Sequence, residues 1–245
     1  MTKEIEKWWK EAAKYYQEEN KLGTQSAHYG PYSPNENELN LLGKVKGKKI
    51  LEIGCGGGQC SVAFAKQGAV CTGIDILKEQ LEFAENLAKK NKVKVNFIKG
   101  DIQTLKGVKS GSFDIVFSAF ALQYVPDLTK CFKEVFRVLK KKGLFIFSLD
   151  HPFYIIINDK NGKIYKSYYK TGREEEKETW PDGSKHLFVR YRRKVSDMYS
   201  ILLEAGFFVE KLMEPFKKDT EWKKLYPYWL AKMMAPTIIF KAVKK

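Results

Sequence analysis

A run of glycines behind an acidic residue, Glu52-Ile53-Gly54-Cys55-Gly56-Gly57-Gly58, is the stretch of this 245-residue sequence best suited to hold a ligand by its backbone. Glycine permits torsions closed to other residues and lets a ligand come close to its N–H groups. Such a loop is also built by dinucleotide-binding proteins, so it does not by itself define a ligand. Two carboxylates follow, Asp75 and then Asp101 in Gly100-Asp101-Ile102, each of which could equally cap a turn at a strand end. Asp150-His151 completes the set. Histidine titrates near neutrality, which makes His151 the candidate general base and Asp150 the group that would orient it. Otherwise His151 satisfies backbone groups before Pro152, and Asp150 caps a turn. The four cysteines, Cys55, Cys60, Cys71 and Cys131, form no C-x-x-C pair, and with the histidines they show no metal-ligand spacing. No metal is expected, and the thiols read as small buried groups in a reducing compartment.

The elements that position these residues alternate. Strands are expected at Ile50–Ile53, Ala69–Asp75, Val95–Ile98, Phe113–Phe120 and Leu144–Asp150. Between them run helices: one with Val62, Ala63 and Ala65 ending at Gly68, and one through Leu81, Ala84, Leu87 and Ala88. A third runs through Leu128, Phe132, Val135, Phe136 and Leu139, with Lys140–Lys142 on its negative end and Gly143 as terminator. Alternation of this kind means a parallel sheet with right-handed crossovers. Upstream, residues 3–20 carry a helical stripe of Ile5, Trp8, Trp9, Ala12, Tyr15 and Tyr16, whose aromatics are expected to pack. Ser33-Pro34-Asn35-Glu36 reads as a capped helix start, with Leu39, Leu41 and Leu42 inward and Gly43 at its close. After strand five the regularity breaks. Tyr154–Ile157 and Lys163–Tyr169 flank Asn158–Gly162 as a hairpin, Glu174–Glu178 and Trp180–Gly183 read as loop, and Leu187–Arg192 as strand. A helix with Met198, Ile201, Leu202 and Ala205 ends at Gly206, followed by strands Phe207–Met213 and Thr237–Val243.

In the glycine run the third glycine of the pattern stands two residues after the second, and Gln59 occupies the place where G-x-G-x-x-G wants glycine. Glu52 is likewise foreign to a dinucleotide fingerprint. The run resembles the E/D-x-G-x-G-x-G signature of class I S-adenosylmethionine-dependent methyltransferases, in particular the small-molecule group that includes ubiquinone and menaquinone biosynthesis enzymes. Asp75 ends strand two 21 residues after Gly54, Gly100-Asp101-Ile102 ends strand three, and Ser118-Ala119-Phe120 ends strand four, all where that family places them. The resemblance covers residues 44–150 and extends to the paired last strands. It implies an α/β fold: a Rossmann-like, seven-stranded, mostly parallel sheet with a reversed last strand, helices on both faces, an N-terminal helical cap and a β-rich insertion after strand five. The chain then divides into 1–43 (cap), 44–150 (cofactor-binding core), 151–194 (acceptor-side insertion) and 195–245 (remainder of the sheet), one methyltransferase domain in all. It also implies S-adenosylmethionine as cofactor, held by Glu52, Gly54, Cys55, Gly56, Gly58 and Gln59 of the loop, by Asp75 and Ile76 at the ribose, and by Asp101 and Ile102 at the adenine. Ser118, Ala119 and Phe120 would lie beneath the methionine part. A carboxylate suits the ribose because it accepts two hydrogen bonds at once.

In open parallel sheets ligands bind at the carboxyl ends of the strands. The acceptor is therefore expected over Phe120–Tyr124, Ser148–Phe153 and the insertion, with the segment His28–Tyr32 folded over the cofactor. Tyr29 is placed in the cofactor site; the rings of Tyr29 and Tyr32 either face the sulfonium or pack on the sheet edge. Arg190, Arg192 and Arg193 alternate along a strand and read as solvated, an acidic acceptor being the other possibility. A small-molecule acceptor is the leading expectation. An RNA, in particular a tRNA, is the alternative on the strength of a net charge of +15, although scattered lysines also occur as a compositional bias in heat-adapted proteins; a non-catalytic cofactor-binding protein is a third reading. No N/D-P-P-Y follows strand four and no cysteine follows a proline, which excludes two common nucleic-acid methylation patterns. No apolar run reaches the roughly 18 residues of a membrane span, and the charged N-terminus reads as neither signal nor transit peptide. The expected location is cytoplasmic, and the oligomeric state is left open.

Overall fold

A computed structural model describes residues 2–19, 22–180, 183–218 and 226–245. In chain order the elements are α1 (Lys3–Glu19), α2 (Glu36–Leu39), β1 (Lys49–Ile53), α3 (Gln59–Lys66), β2 (Val70–Asp75), α4 (Lys78–Lys90), β3 (Val95–Lys99), β4 (Phe113–Ala119), α5 (Leu128–Val138) and β5 (Leu139–Asp150). There follow β6 (Gly172–Thr179), β7 (Lys185–Arg192), α6 (Val195–Glu204), β8 (Phe207–Met213), α7 (Tyr228–Ala231) and β9 (Thr237–Lys244). Seven strands form one sheet in the order β3-β2-β1-β4-β5-β9-β8. β9 runs antiparallel to both neighbours, while the other central pairings are parallel. This is the Rossmann-like sheet with its reversed last strand.

Alternation along the strands feeds two cores, because successive side chains point to opposite faces. Val116, Phe145 and Phe147 pack against Phe132 and Val135 of α5 and Met198 and Leu202 of α6. Ile115, Phe117 and Ile146 pack on the other face against Cys60 and Phe64 of α3. Strands buried on both faces read as near-continuous apolar runs, which is why the central ones stand out in the sequence.

Three local expectations are corrected. The helix near residue 36 has Asn35, not Ser33, at its N-cap and lasts one turn; Asn40 in the left-handed region stops it. Helix α5 ends at Val138, and Lys140–Lys142 lie within β5. There the register jumps: Phe113 faces Leu139 but Ile115 faces Leu144, so the lysines bulge outward and Lys140 pairs with Asp114 at 2.7 Å. In the insertion the hairpin is β6 with β7, so Glu174–Glu178 is strand; residues 154–156 form a short 3-10 turn and the 157–164 stretch has a single bridge. The side chains of Tyr15 and Tyr16, and Pro181 and Asp182, lie outside the described residues.

The hairpin does not join the large sheet. It packs on α1, where Ile5, Val189 and Tyr124 form a separate small core. The Trp8 indole donates to Glu178 at 3.2 Å and Glu11 meets His186 at 2.7 Å. Together α1 and the hairpin make a cover over the carboxyl ends of the strands, where β1, β2 and β4 converge.

Candidate active site

The cleft under this cover begins where β1 turns into α3. Gly54, Gly56 and Gly58 all have positive φ, at 67°, 49° and 77°. A Cβ on Gly54 would stand 2.3 Å from that of Ala121, and one on Gly58 would stand 2.8 Å from that of Ala84. Gly56 has open space at that position. Thus two glycines let the loop pack under β4 and α4, and the third leaves its backbone accessible. The loop is tied to β2 as Gly54 and Cys55 donate their N–H groups to the Ile74 carbonyl at 2.8 and 3.0 Å. Asp75, at the end of β2, accepts from Gly56 N–H at 2.9 Å and from Leu77 N–H at 3.0 Å, so one carboxylate organises both sides of the cleft.

The cleft has a volume of about 750 Å³ including its open mouth. Glu52, Gly54, Cys55, Gly56, Gln59, Asp75, Ile76, Ala119 and Phe120, all singled out in the sequence, line it. Burial pushes the Glu52 carboxyl up to about 8, with the Ser61 hydroxyl donating to it at 2.5 Å as the main opposing influence. Burial also raises Asp75, against the hydrogen bonds from Leu77 and Gly56. Two carboxyls in one buried cleft are poorly solvated as anions, and a ligand bringing hydroxyls or positive charge relieves that cost. A donor-rich, cationic ligand with a hydroxylated sugar therefore fits this donor set.

Other sequence candidates stand beside the cleft without lining it. Ser118 donates to the Ile53 carbonyl at 2.9 Å and locks β4 to β1. Gly58 caps α3, and Ile102 is core beneath Gly54. Asp101 accepts from Gln103 N–H at 2.9 Å in the turn after β3. Tyr29 is corrected: its ring is fully buried against Phe117, and its hydroxyl donates to Glu36 at 2.5 Å. Glu36 in turn accepts from Leu41 and Leu42 N–H, so Tyr29 holds the strap in place rather than facing a ligand.

His151 is corrected as well. Its Nδ1 accepts from Phe153 N–H at 3.1 Å, so the proton is on Nε2, which lies 2.7 Å from Glu214. Both nitrogens are committed, and the ring has no lone pair left to serve as a base. Burial lowers its pKa despite Glu214. Asp150 does not orient it; the Tyr226 hydroxyl donates to Asp150 Oδ1 at 2.8 Å. Arg190 and Arg192 are not solvated. They turn inward to Glu174, at 2.7 and 3.4 Å, in a cluster with Lys166, and Arg193 donates to the Val125 and Pro126 carbonyls.

His28 and Tyr124 line the cleft as part of the segments expected there, whereas sequence reasoning missed Trp9, Leu77 and Gln80. Gln80, a buried polar residue on the inner face of α4, carried a signal; Trp9 carried none, since its helical stripe pointed equally to packing. His28 comes with the strap, where the Cys60 thiol donates to its carbonyl at 3.8 Å. Burial lowers His28 to about 4, so the ring is neutral at pH 7.

A seven-stranded sheet with this strand order, a glycine loop after β1 and an acidic residue closing β2 defines the class I methyltransferase architecture. Residues 51–147 match a family described as a methyltransferase domain. The chain is similar to an uncharacterised protein of Haemophilus influenzae, 29% identical over 80% of this chain and 83% of that one. The ubiquinone biosynthesis O-methyltransferase of Coxiella burnetii is 36% identical over a stretch that covers 42% of this chain and only 44% of that enzyme. The crystal structure of a methyltransferase from Methanosarcina mazei has the same fold, with a TM-score of 0.67 at 21% identity over 86% of this chain and 98% of that one.

Proposed function

We propose that this chain transfers the methyl group of S-adenosylmethionine to a small-molecule acceptor. The observation that carries the reading is that the glycine loop, Glu52 and Asp75 share one cleft with Trp9, His28, Phe120 and Tyr124, a compact aromatic wall of a size for a metabolite. In this reading the stretches 1–43, 44–150, 151–194 and 195–245 work as a single domain. The loop backbone and Gln59 hold the cofactor's amino-acid portion, Asp75 and Ile76 the ribose, and Ala119 and Phe120 the region of the methyl group, while Asp101 reaches the adenine from beside the cleft through its carboxylate and Ile102 through its backbone N–H, its side chain staying in the core.

The bound cofactor supplies an activated methyl on a sulfonium. The chain's residues align the acceptor with it, exclude water through the α1–hairpin cover, and hold charge at Glu52 and Asp75. Alignment is worth several kcal/mol of barrier when reacting atoms are kept about 3–3.5 Å apart. With His151 committed and His28 a weak base, orientation carries the catalysis. An RNA acceptor rests on the +15 charge alone. Among the described residues no helix is long and apolar enough to cross a membrane, and the four buried free cysteines support a cytoplasmic setting.

The test is calorimetry with S-adenosylhomocysteine followed by methyl transfer from labelled cofactor to a panel of metabolites and to bulk tRNA. Cofactor binding with label only in tRNA would overturn the acceptor class. Absence of cofactor binding would overturn the site.

A further inference from the structure

We propose that the end of the sheet opposite the cleft is a docking surface for the phosphate backbone of folded RNA, held there as a bound partner and not as the methyl acceptor. Such a surface stands apart from the methyltransferase reading, since it requires neither cofactor nor acceptor. Lysines scattered along the sequence converge at this end because of the strand order. β1 to β5 and β8 all begin there, and β9 ends there. Lys46 and Lys48 precede β1, Lys92 and Lys94 precede β3, and Lys141 and Lys142 lie in the bulge that opens β5. All six are exposed, as is Lys245 just beyond β9. Hydrogen bonds from Gly47 N–H to the Gly68 carbonyl and from Val70 N–H to the Lys48 carbonyl tie the first of these loops to the start of β2. At about 4.8 Å per strand, the entrances from β3 to β5 span about 19 Å.

Little acid offsets them. Asp114 is taken by Lys140 at 2.7 Å and by the Lys49 N–H at 2.8 Å, and Glu134 by Arg137 at 2.8 Å, which leaves Glu204 at the end of α6. Among the described residues none of the six lysines makes an ion pair. The carboxylates of Glu11, Glu174, Glu176 and Glu178 gather instead in the cover at the other end. Two of the lysines also hold left-handed backbone, Lys92 with φ 56° and Lys142 with φ 61°. Glycine or asparagine would adopt that conformation at lower cost, and a lysine kept there in spite of the strain points to a use for its charge.

The chemistry of the surface selects the partner. Exposed ammonium groups neutralise phosphates and release their counterions, whereas a lipid surface calls for apolar anchors as well. Val70 and Phe208, exposed at this end on β2 and β8, are too far apart in the sheet to form an apolar patch. The exposed rings of Tyr165 and Tyr169 belong to the insertion, and Trp229 packs beside its Gly162. In A-form RNA a deep, narrow major groove brings the phosphates of both strands together, which suits lysines within a short span. B-form DNA parts them across a groove about 12 Å wide that is read by an inserted helix or ribbon; among the described residues only turns project from this end. β4, seven residues long, separates the surface from the cleft by about 23 Å, so bound RNA leaves the cofactor site open.

Fluorescence anisotropy of labelled bulk tRNA, titrated with the full chain with and without S-adenosylhomocysteine, tests the surface. Affinity should fall at least 100-fold between about 50 and 200 mM KCl, as about four neutralised phosphates require. Lys48→Glu with Lys141→Glu should weaken tRNA binding at the lower salt at least tenfold and flatten its salt dependence. Should that reversal disturb the fold, the milder Lys92→Gln with Lys94→Gln should still weaken it at least threefold. Lys160→Glu with Lys163→Glu places the same charge change in the insertion and should stay within threefold of wild type. S-adenosylhomocysteine affinity should remain within twofold in every variant and with tRNA bound. No tRNA binding at the lower salt, or an equal loss in the Lys160 and Lys163 variant, would overturn the surface. So would tighter binding to duplex DNA or to vesicles of about one-third phosphatidylglycerol, or displacement of S-adenosylhomocysteine by tRNA. Failure to bind S-adenosylhomocysteine at all would overturn the cofactor reading and leave the surface to be judged on tRNA alone.

Discussion

The roles of Glu52 and Asp75 follow from where burial leaves them. Asp75 organises the loop through Gly56 and still faces the cleft, so Asp75→Ala is expected to weaken S-adenosylhomocysteine by about 1.5–3 kcal/mol, the worth of lost charge-assisted hydrogen bonds. Titration calorimetry reads this directly, and unchanged affinity would remove Asp75 from the site. Glu52 makes a pH prediction. Its carboxyl, raised to about 8 by burial, is protonated at pH 7 in the free chain. A folded pKa above the unfolded one adds stability that is complete below about 4.5 and lost as pH rises through 8. A cationic ligand group beside it favours the ionised form and lowers that pKa. Binding at pH 7 should therefore release a proton, and affinity should rise between pH 6 and 8. Calorimetry in phosphate and in Tris separates proton release from uptake; no buffer dependence, or uptake, would contradict the placement. Glu52→Gln should abolish the release.

Among the elements, the strap from 26 to 33 and the α1–hairpin cover decide what the cleft can bind. Gly30 has a φ of +114°, and a Cβ there would stand 2.0 Å from the Phe120 ring. Phe120 itself has a φ of 55° at the end of β4. Gly30→Ala should displace the ring, destabilise the chain by about 1–3 kcal/mol as overpacking does, and weaken S-adenosylhomocysteine at least tenfold. A variant with unchanged binding and melting temperature would show that strap and ring do not press on one another. The cover has a separate test in Val189→Asp, which puts a charge into the Ile5–Tyr124 core. That substitution should undock α1 and weaken cofactor binding through Trp9, with the central sheet still folded by circular dichroism. His151 belongs to this scale too. It ties β5 to Glu214 and to the turn at Phe153, so His151→Ala should cost about 1–3 kcal/mol of stability and leave the shape of the pH–rate profile unaltered. Loss of a titration near neutrality would restore it as a base.

For the molecule as a whole, the +15 charge predicts weak tRNA binding that falls steeply with salt, as counterion release requires of scattered lysines; salt-resistant, sequence-selective binding would favour an RNA acceptor. The order of strands and helices, the glycine loop and the acidic end of β2 were legible in the sequence because each is encoded locally, by the period of apolar residues and by turn chemistry. The charged hairpin strand was not. Glu174, Glu176 and Glu178 share its inner face and are satisfied by Arg190, Lys166, Trp8 and Trp180, so no apolar alternation betrays it. The fates of His151, Asp150, Tyr29 and the three arginines were equally hidden, since an isolated histidine or aspartate carries no mark of the partner that will occupy it. Glu214 lies 63 positions from His151, Tyr226 lies 76 from Asp150, and Glu178 lies 170 from Trp8. The sequence by itself therefore determined the sheet and the cofactor loop. Which residues wall the cleft, and which candidate bases are already spent, only the packing of distant segments decided, because a hydrogen bond commits a lone pair wherever in the chain its partner comes from.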